Sequence, residues 1–116
     1  MSNLGVPCPV VVGVITTASA AHLCPFRDEQ DYGTVSVSWT TACGQTVELH
    51  ALGELIRSVA DVRISHEQWT ADLASTIAAG VAVDDLTVTS QWSTAGLTVS
   101  VSALNPQKAE DQRGED

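Results

Sequence analysis

The stretch Thr34-Val35-Ser36-Val37-Ser38-Trp39-Thr40-Thr41 alternates polar and apolar residues, and the stretch Val47 to Val59 that follows it does not. Val35, Val37 and Trp39 share one face of a period-two pattern, which predicts a half-buried strand over 34–41. After a turn at 42–46 around Gly44, the apolar residues change step. Val47, Leu49, Leu52, Leu55, Ile56 and Val59 recur at helical spacing and predict a helix over 47–60. A strand that turns directly into an amphipathic helix requires both to share one core.

The pattern extends outward from this switch. Asp61 to Ser65 breaks the helix. Ser65 with Gln68 three residues later has the form of a capping box, so a second helix is predicted to start there. It carries Trp69, Leu73 and Ile77 and ends near Gly80. Asp85 to Trp92 and Leu97 to Ala103 alternate again around the turn residues Ser93 to Gly96, which predicts a hairpin. Upstream, the β-branched run Val10 to Thr17 predicts a strand, residues 18–31 a long connection, and residues 1–8 an irregular start broken by Gly5 and Pro7. The order is ββααββ. It predicts an α+β domain, an antiparallel four-stranded sheet with both helices on one face, spanning 1–104. Such a sheet has edge strands that need cover or partners, so a ring-shaped homo-oligomer is expected. Residues 105–116 are polar and acidic and are expected to be a disordered tail.

Composition limits the function. The chain has 116 residues, 44% of them apolar, enough for one core. The longest apolar run, Val10-Val11-Val12-Gly13-Val14-Ile15, is far short of the roughly 18 residues of a membrane span. No Lys or Arg precedes it, so a secretory signal is not expected and a cytoplasmic location is. Net charge is −9, and the body before the tail keeps −7 with only Arg27, Arg57 and Arg63 as strong bases. This argues against generic nucleic-acid binding through a basic patch, though not against the recognition of one base. The three cysteines, Cys8, Cys24 and Cys43, form neither a disulfide framework nor a zinc spacing, and no metal site is expected. Trp39, Trp69 and Trp92 lie on apolar faces and are expected in the core or an interface.

Cys24 lies on a predicted loop, and Asp31 follows seven residues later at the mouth of a strand. A reactive thiol needs partial exposure and a route to the thiolate, and a carboxyl group can manage the proton. Spacing alone equally fits Cys24 as loop packing and Asp31 as a strand cap. The whole string Leu23-Cys24-Pro25-Phe26-Arg27-Asp28-Glu29-Gln30-Asp31-Tyr32-Gly33-Thr34-Val35 resembles, in order and spacing, the active-site segment of the 7-cyano-7-deazaguanine reductase (QueF) family. That resemblance implies a tunnelling fold, a covalent thioimide formed by Cys24 on the substrate nitrile, and Asp31 as its acid–base partner. A second segment, Ser58-Val59-Ala60-Asp61-Val62-Arg63-Ile64-Ser65-His66-Glu67, resembles the family's substrate-binding segment at Ser58, His66 and Glu67 and departs from it in between. By that likeness His66 is catalytic, beside the nitrile, and Glu67 holds the N–H edge of the deazaguanine, for which a carboxylate is chemically suited. Read without it, the pair is an exposed first helical turn with Glu67 favoured by the helix dipole.

A third segment disagrees with the reductases. Glu48-Leu49-His50-Ala51-Leu52-Gly53-Glu54-Leu55 occupies their cofactor motif, with His50 and Gly53 where two lysines suited to NADPH phosphate would stand. Glu48 remains and by resemblance also binds the base. The chain is therefore most similar to the short QueF-like amidinotransferases of archaeosine type. That likeness implies no cofactor, ammonia as co-substrate, 7-cyano-7-deazaguanine free or within tRNA or DNA, and pentameric or decameric assembly. An NADPH-dependent reductase and a non-catalytic carrier of the base are the alternatives. His22 stands where the family often has a small hydroxyl residue, and its role, like those of Cys8 and Cys43, is open.

Overall fold

The computed structural model describes residues 3–104; the expected tail at 105–116 lies outside them. Eight elements follow in order: β1 (Gly5–Pro7), β2 (Gly13–Leu23), β3 (Gln30–Thr41), β4 (Gln45–Val47), α1 (Leu49–Ser58), α2 (His66–Gly80), β5 (Val83–Thr94) and β6 (Leu97–Leu104). β2, β3, β5 and β6 form an antiparallel sheet in the order β2-β3-β5-β6, and β1 pairs with β4 in a separate two-stranded ribbon. The ββααββ order and the α+β class are as expected, with three differences in the elements.

The first strand is not Val10 to Thr17 but Gly13–Leu23, and the connection after it is correspondingly short. The Ala-Ser-Ala-Ala run at 18–21 is weak strand sequence by itself. It is held by β3, which pairs with β2 from Gly13↔Thr40 through to Leu23↔Gln30. β3 in turn begins four residues earlier than expected, at Gln30. The third difference is β1 and β4, where an irregular start and a turn were expected. Val47 is the last residue of β4, so the helix begins after it, with Glu48 as N-cap.

The core lies between the sheet and the two helices. Val35, Val37 and Trp39 of β3 and Leu86, Val88 and Trp92 of β5 face Leu52, Leu55, Ile56, Trp69, Leu73 and Ile77 of the helices. All three tryptophans are buried, at 3%, 2% and 1% exposure for Trp39, Trp69 and Trp92. Ser65 caps α2, accepting the Gln68 N–H at 3.1 Å. The opposite face of the sheet is open and carries mainly Ser and Thr.

Candidate functional site

Three pieces of chain meet at one end of the sheet. The β2–β3 hairpin turns through residues 24–29, closed by the Cys24 N–H donating to the Glu29 carbonyl at 3.0 Å. The linker between the helices runs alongside the end of β2. The Leu23 N–H donates to the Val62 carbonyl at 2.9 Å and the Ile64 N–H to the Leu23 carbonyl at 3.1 Å, a parallel bridge of Leu23 with Arg63. The Arg63 guanidinium donates to the carbonyls of Cys24 at 2.8 Å and Arg27 at 3.2 Å and reaches Asp28 at 3.4 Å. Two segments nearly forty residues apart in sequence are thereby joined next to Cys24, which is half-buried.

Beside this junction stands a cluster of three titratable side chains. His22 and Asp31 are direct cross-strand partners on β2 and β3. His66 comes from the first turn of α2. His22 Nε2 and His66 Nδ1 are 2.6 Å apart, and Asp31 Oδ2 lies 4.0 Å from His22 Nε2. His22 is 1% exposed and the Asp31 side chain 12%. The His66 ring stacks on Trp92 at 5.0 Å and 13°, while His22 meets the same indole edge-on at 4.5 Å. Burial and the neighbouring His22 push the His66 pKa down from its ordinary value, opposed by Asp31 and Glu67.

The three potential ligand atoms of His22, Asp31 and His66 lie within 4.8 Å of one another, which raises the question of a metal. Two nitrogens bound to one tetrahedral zinc at about 2.0–2.1 Å stand roughly 3.3 Å apart. The imidazole nitrogens here are closer than that, at a hydrogen-bonding distance. The arrangement is that of one shared proton, and a metal would have to part the rings.

The expected site residues are distributed unevenly about this cluster. Asp31 and His66 belong to it. Cys24 is two residues past His22 on the adjoining loop. Glu67 follows His66 and is exposed, near enough to act on the His66 charge. Glu48 is elsewhere. One of its oxygens accepts the Ala51 N–H as the α1 N-cap and the other meets His50 Nδ1 at 3.1 Å. The Ala51 hydrogen bond, chiefly, holds its carboxyl below the ordinary value. β4 just before it is tied to the far part of β3 by the Trp39 Nε1–Thr46 Oγ1 bond of 3.0 Å. Trp39 is about 26 Å of strand away from Asp31. The residue that sequence reasoning left open is His22. Its signal was its position two before Cys24, but only the β2–β3 register shows that it faces Asp31.

Gly33, the small residue of the sequence motif, has a steric reason. A Cβ there would fall on the Gln91 carbonyl oxygen of β5 and against the Trp92 ring.

No family model matches the sequence, and no curated protein matches it. Among solved structures, the archaeosine synthase QueF-Like in its apo form aligns with a TM-score of 0.75 at 23% identity, over 79% of this chain and 91% of that one. The chain thus has the α+β tunnelling fold of that archaeosine synthase.

Proposed function

We propose that the chain is a QueF-like amidinotransferase that converts the nitrile of 7-cyano-7-deazaguanine to a formamidine. The observation that supports this reading best is the junction of the Cys24 loop with the Arg63–Glu67 segment. Both were singled out from sequence for the same substrate, and their backbones are hydrogen-bonded to each other. The fold shared with an archaeosine synthase agrees with it.

In this reading Asp31 takes the thiol proton and the Cys24 sulfur adds to the nitrile carbon. One C–N π bond breaks, and the nitrogen receives the proton through Asp31, leaving a thioimide. Ammonia adds to the thioimide carbon, a proton moves off the incoming nitrogen, and the C–S bond breaks. The products are the formamidine and free Cys24, with no change of oxidation state. Glu67 accepts the N–H edge of the base. Glu48, far along β3 within one chain, completes that pocket from a second copy.

The base is attached to a polynucleotide in this proposal. The acidic body disfavours loose phosphate contacts, and Arg27, Arg57 and Arg63 are the only strong bases before residue 105.

Intact-protein mass spectrometry with the free nitrile base tests the covalent step. The chain should gain the mass of the whole base, without loss of any atom, and Cys24→Ala should gain nothing. Ammonia should then release formamidine. The absence of an adduct on the native chain, both with the free base and with an oligonucleotide carrying it, sinks the reading. Oxidation of added NADPH would make the chain a reductase, and an adduct inert to ammonia would make it a carrier.

A further inference from the structure

The hydrogen bonds of the cluster have a fixed direction, because one end is a carbonyl. His22 Nδ1 lies 3.1 Å from the Leu23 backbone oxygen, which can only accept. The neutral ring therefore carries its proton on Nδ1, and its Nε2 is a lone pair. The 2.6 Å contact then requires that His66 Nδ1 be the donor. That leaves His66 Nε2 unprotonated, 3.0 Å from the Thr94 hydroxyl, which donates to it. The chain of donors reads Thr94 O–H to His66, His66 N–H to His22, His22 N–H to Leu23. Both imidazoles are in the Nδ1–H form, the one less favoured for a free histidine in water.

We propose that His22 is a positioning residue that sets the tautomer of His66, so that the two rings act as one proton-accepting unit whose open end is the Thr94 side of His66. Its catalytic consequence rests on the reading above; the tautomer does not. A proton arriving at His66 Nε2 through the Thr94 hydroxyl lets the Nδ1 proton pass to His22 Nε2. The positive charge then rests on His22, 4.0 Å from the Asp31 carboxylate. The atoms balance: one proton enters at Thr94, one crosses the 2.6 Å bond, and the pair gives one proton back to the Cys24 sulfur once the C–S bond has broken. In the amidine reaction this is the proton that the attacking ammonia must lose.

The surroundings are built to hold this geometry. Trp92 Nε1 donates to Ser90 Oγ at 2.8 Å, and the Thr70 hydroxyl donates to the His66 carbonyl at 2.8 Å. Thr70 has then used its proton, so Ser90 must donate across the 2.6 Å Thr70–Ser90 contact. Thr70 and Ser90 are fully buried, at 0% exposure. This second network fixes the first turn of α2 on β5 and leaves the His66 ring little freedom above Trp92. The charged and titratable groups facing His66 are His22 from β2, Asp31 from β3 and its helix neighbour Glu67; β5 presents only Trp92 and Thr94.

Long-range proton–nitrogen correlation spectra of the nitrogen-15-labelled chain near neutral pH read the tautomers directly. Both His22 and His66 should be Nδ1–H. His66 found as Nε2–H overturns the proposal. His22→Leu removes the acceptor and should lose the Nδ1–H form of His66, whereas His22→Gln, which keeps an acceptor oxygen, should retain it. Retention in His22→Leu is an overturning result as well. In turnover, His22→Leu should lower kcat about 10- to 100-fold with little change in KM for the base, and His22→Gln should recover part of it. Should the Leu variant not fold, the native spectrum and the Gln variant still decide. A wrong tautomer with a normal Cys24 adduct removes this proposal alone; a right tautomer with no adduct removes the amidinotransferase reading alone.

Discussion

A histidine pushed down by burial stores a pH dependence. The His66 pKa lies below the ordinary imidazole value, because desolvation and His22 both oppose its charge. The unfolded chain then binds more protons than the folded one in the range just under 6.5, so stability rises with pH there and falls as pH drops through it. Glu48 acts in the same direction only lower, below its ordinary 4.5, since its carboxylate is favoured in the folded chain. Urea unfolding between pH 7 and 5 should show decreasing stability, and His66→Gln should flatten that slope while leaving the steeper fall at lower pH. A native stability that is level from 7 to 5 contradicts a lowered pKa at the half-buried His66. At this scale the sequence singles out Asp31 and His66, which the fold brings together, but leaves His22 open, because spacing along a chain does not give cross-strand register. Gly33 was read as a motif position, and its cause, the Gln91 backbone, is a contact between strands.

Among the elements, legibility followed how much each segment decides for itself. The two helices and the β5–β6 hairpin were plain, because their apolar spacing and caps are local. The second half of β2 was missed because Ala18 to Ala21 has little strand preference, and tertiary pairing overrides it. β1 and β4 were missed because three residues show no period. This matters for the site, since the true length of β2 shortens the Cys24 loop to a tight turn. Arg63 is the clamp of that turn, with two backbone carbonyls as acceptors. Arg63→Ala should speed hydrogen exchange at the Cys24 amide and slow adduct formation. Its cost to overall stability should be about 1 kcal/mol, since the side chain is half exposed. An unchanged Cys24 exchange rate rules out the clamp.

For the whole molecule, the question is what covers the sheet's edges. β2 and β6 are the outer strands, 11 and 8 residues long, and neither contains Asp, Glu, Lys, Arg or Pro. Edges of monomers usually carry such residues to prevent pairing. Ile15, Leu97 and Leu104 are also exposed there, at 79%, 63% and 61%. Two unlike edges that pair head to tail generate a ring if the rotation closes, and the twist of each sheet supplies a rotation. The proposed pocket needs such a neighbour, because the isolated chain keeps Glu48 away from the cluster. Each copy carries −9, so assembly opposes its own charge and should tighten as salt rises over the range where the Debye length falls from about 30 Å to 3 Å. Light scattering should give an integral multiple of 12.2 kDa, increasingly complete with salt. Thr17→Lys with Ser100→Lys places a charge on each exposed edge and should leave a folded monomer that lacks turnover but keeps the His66 tautomer. A native chain that stays monomeric at high salt would leave Glu48 without a path to the base, and the pocket would have to be closed by other residues.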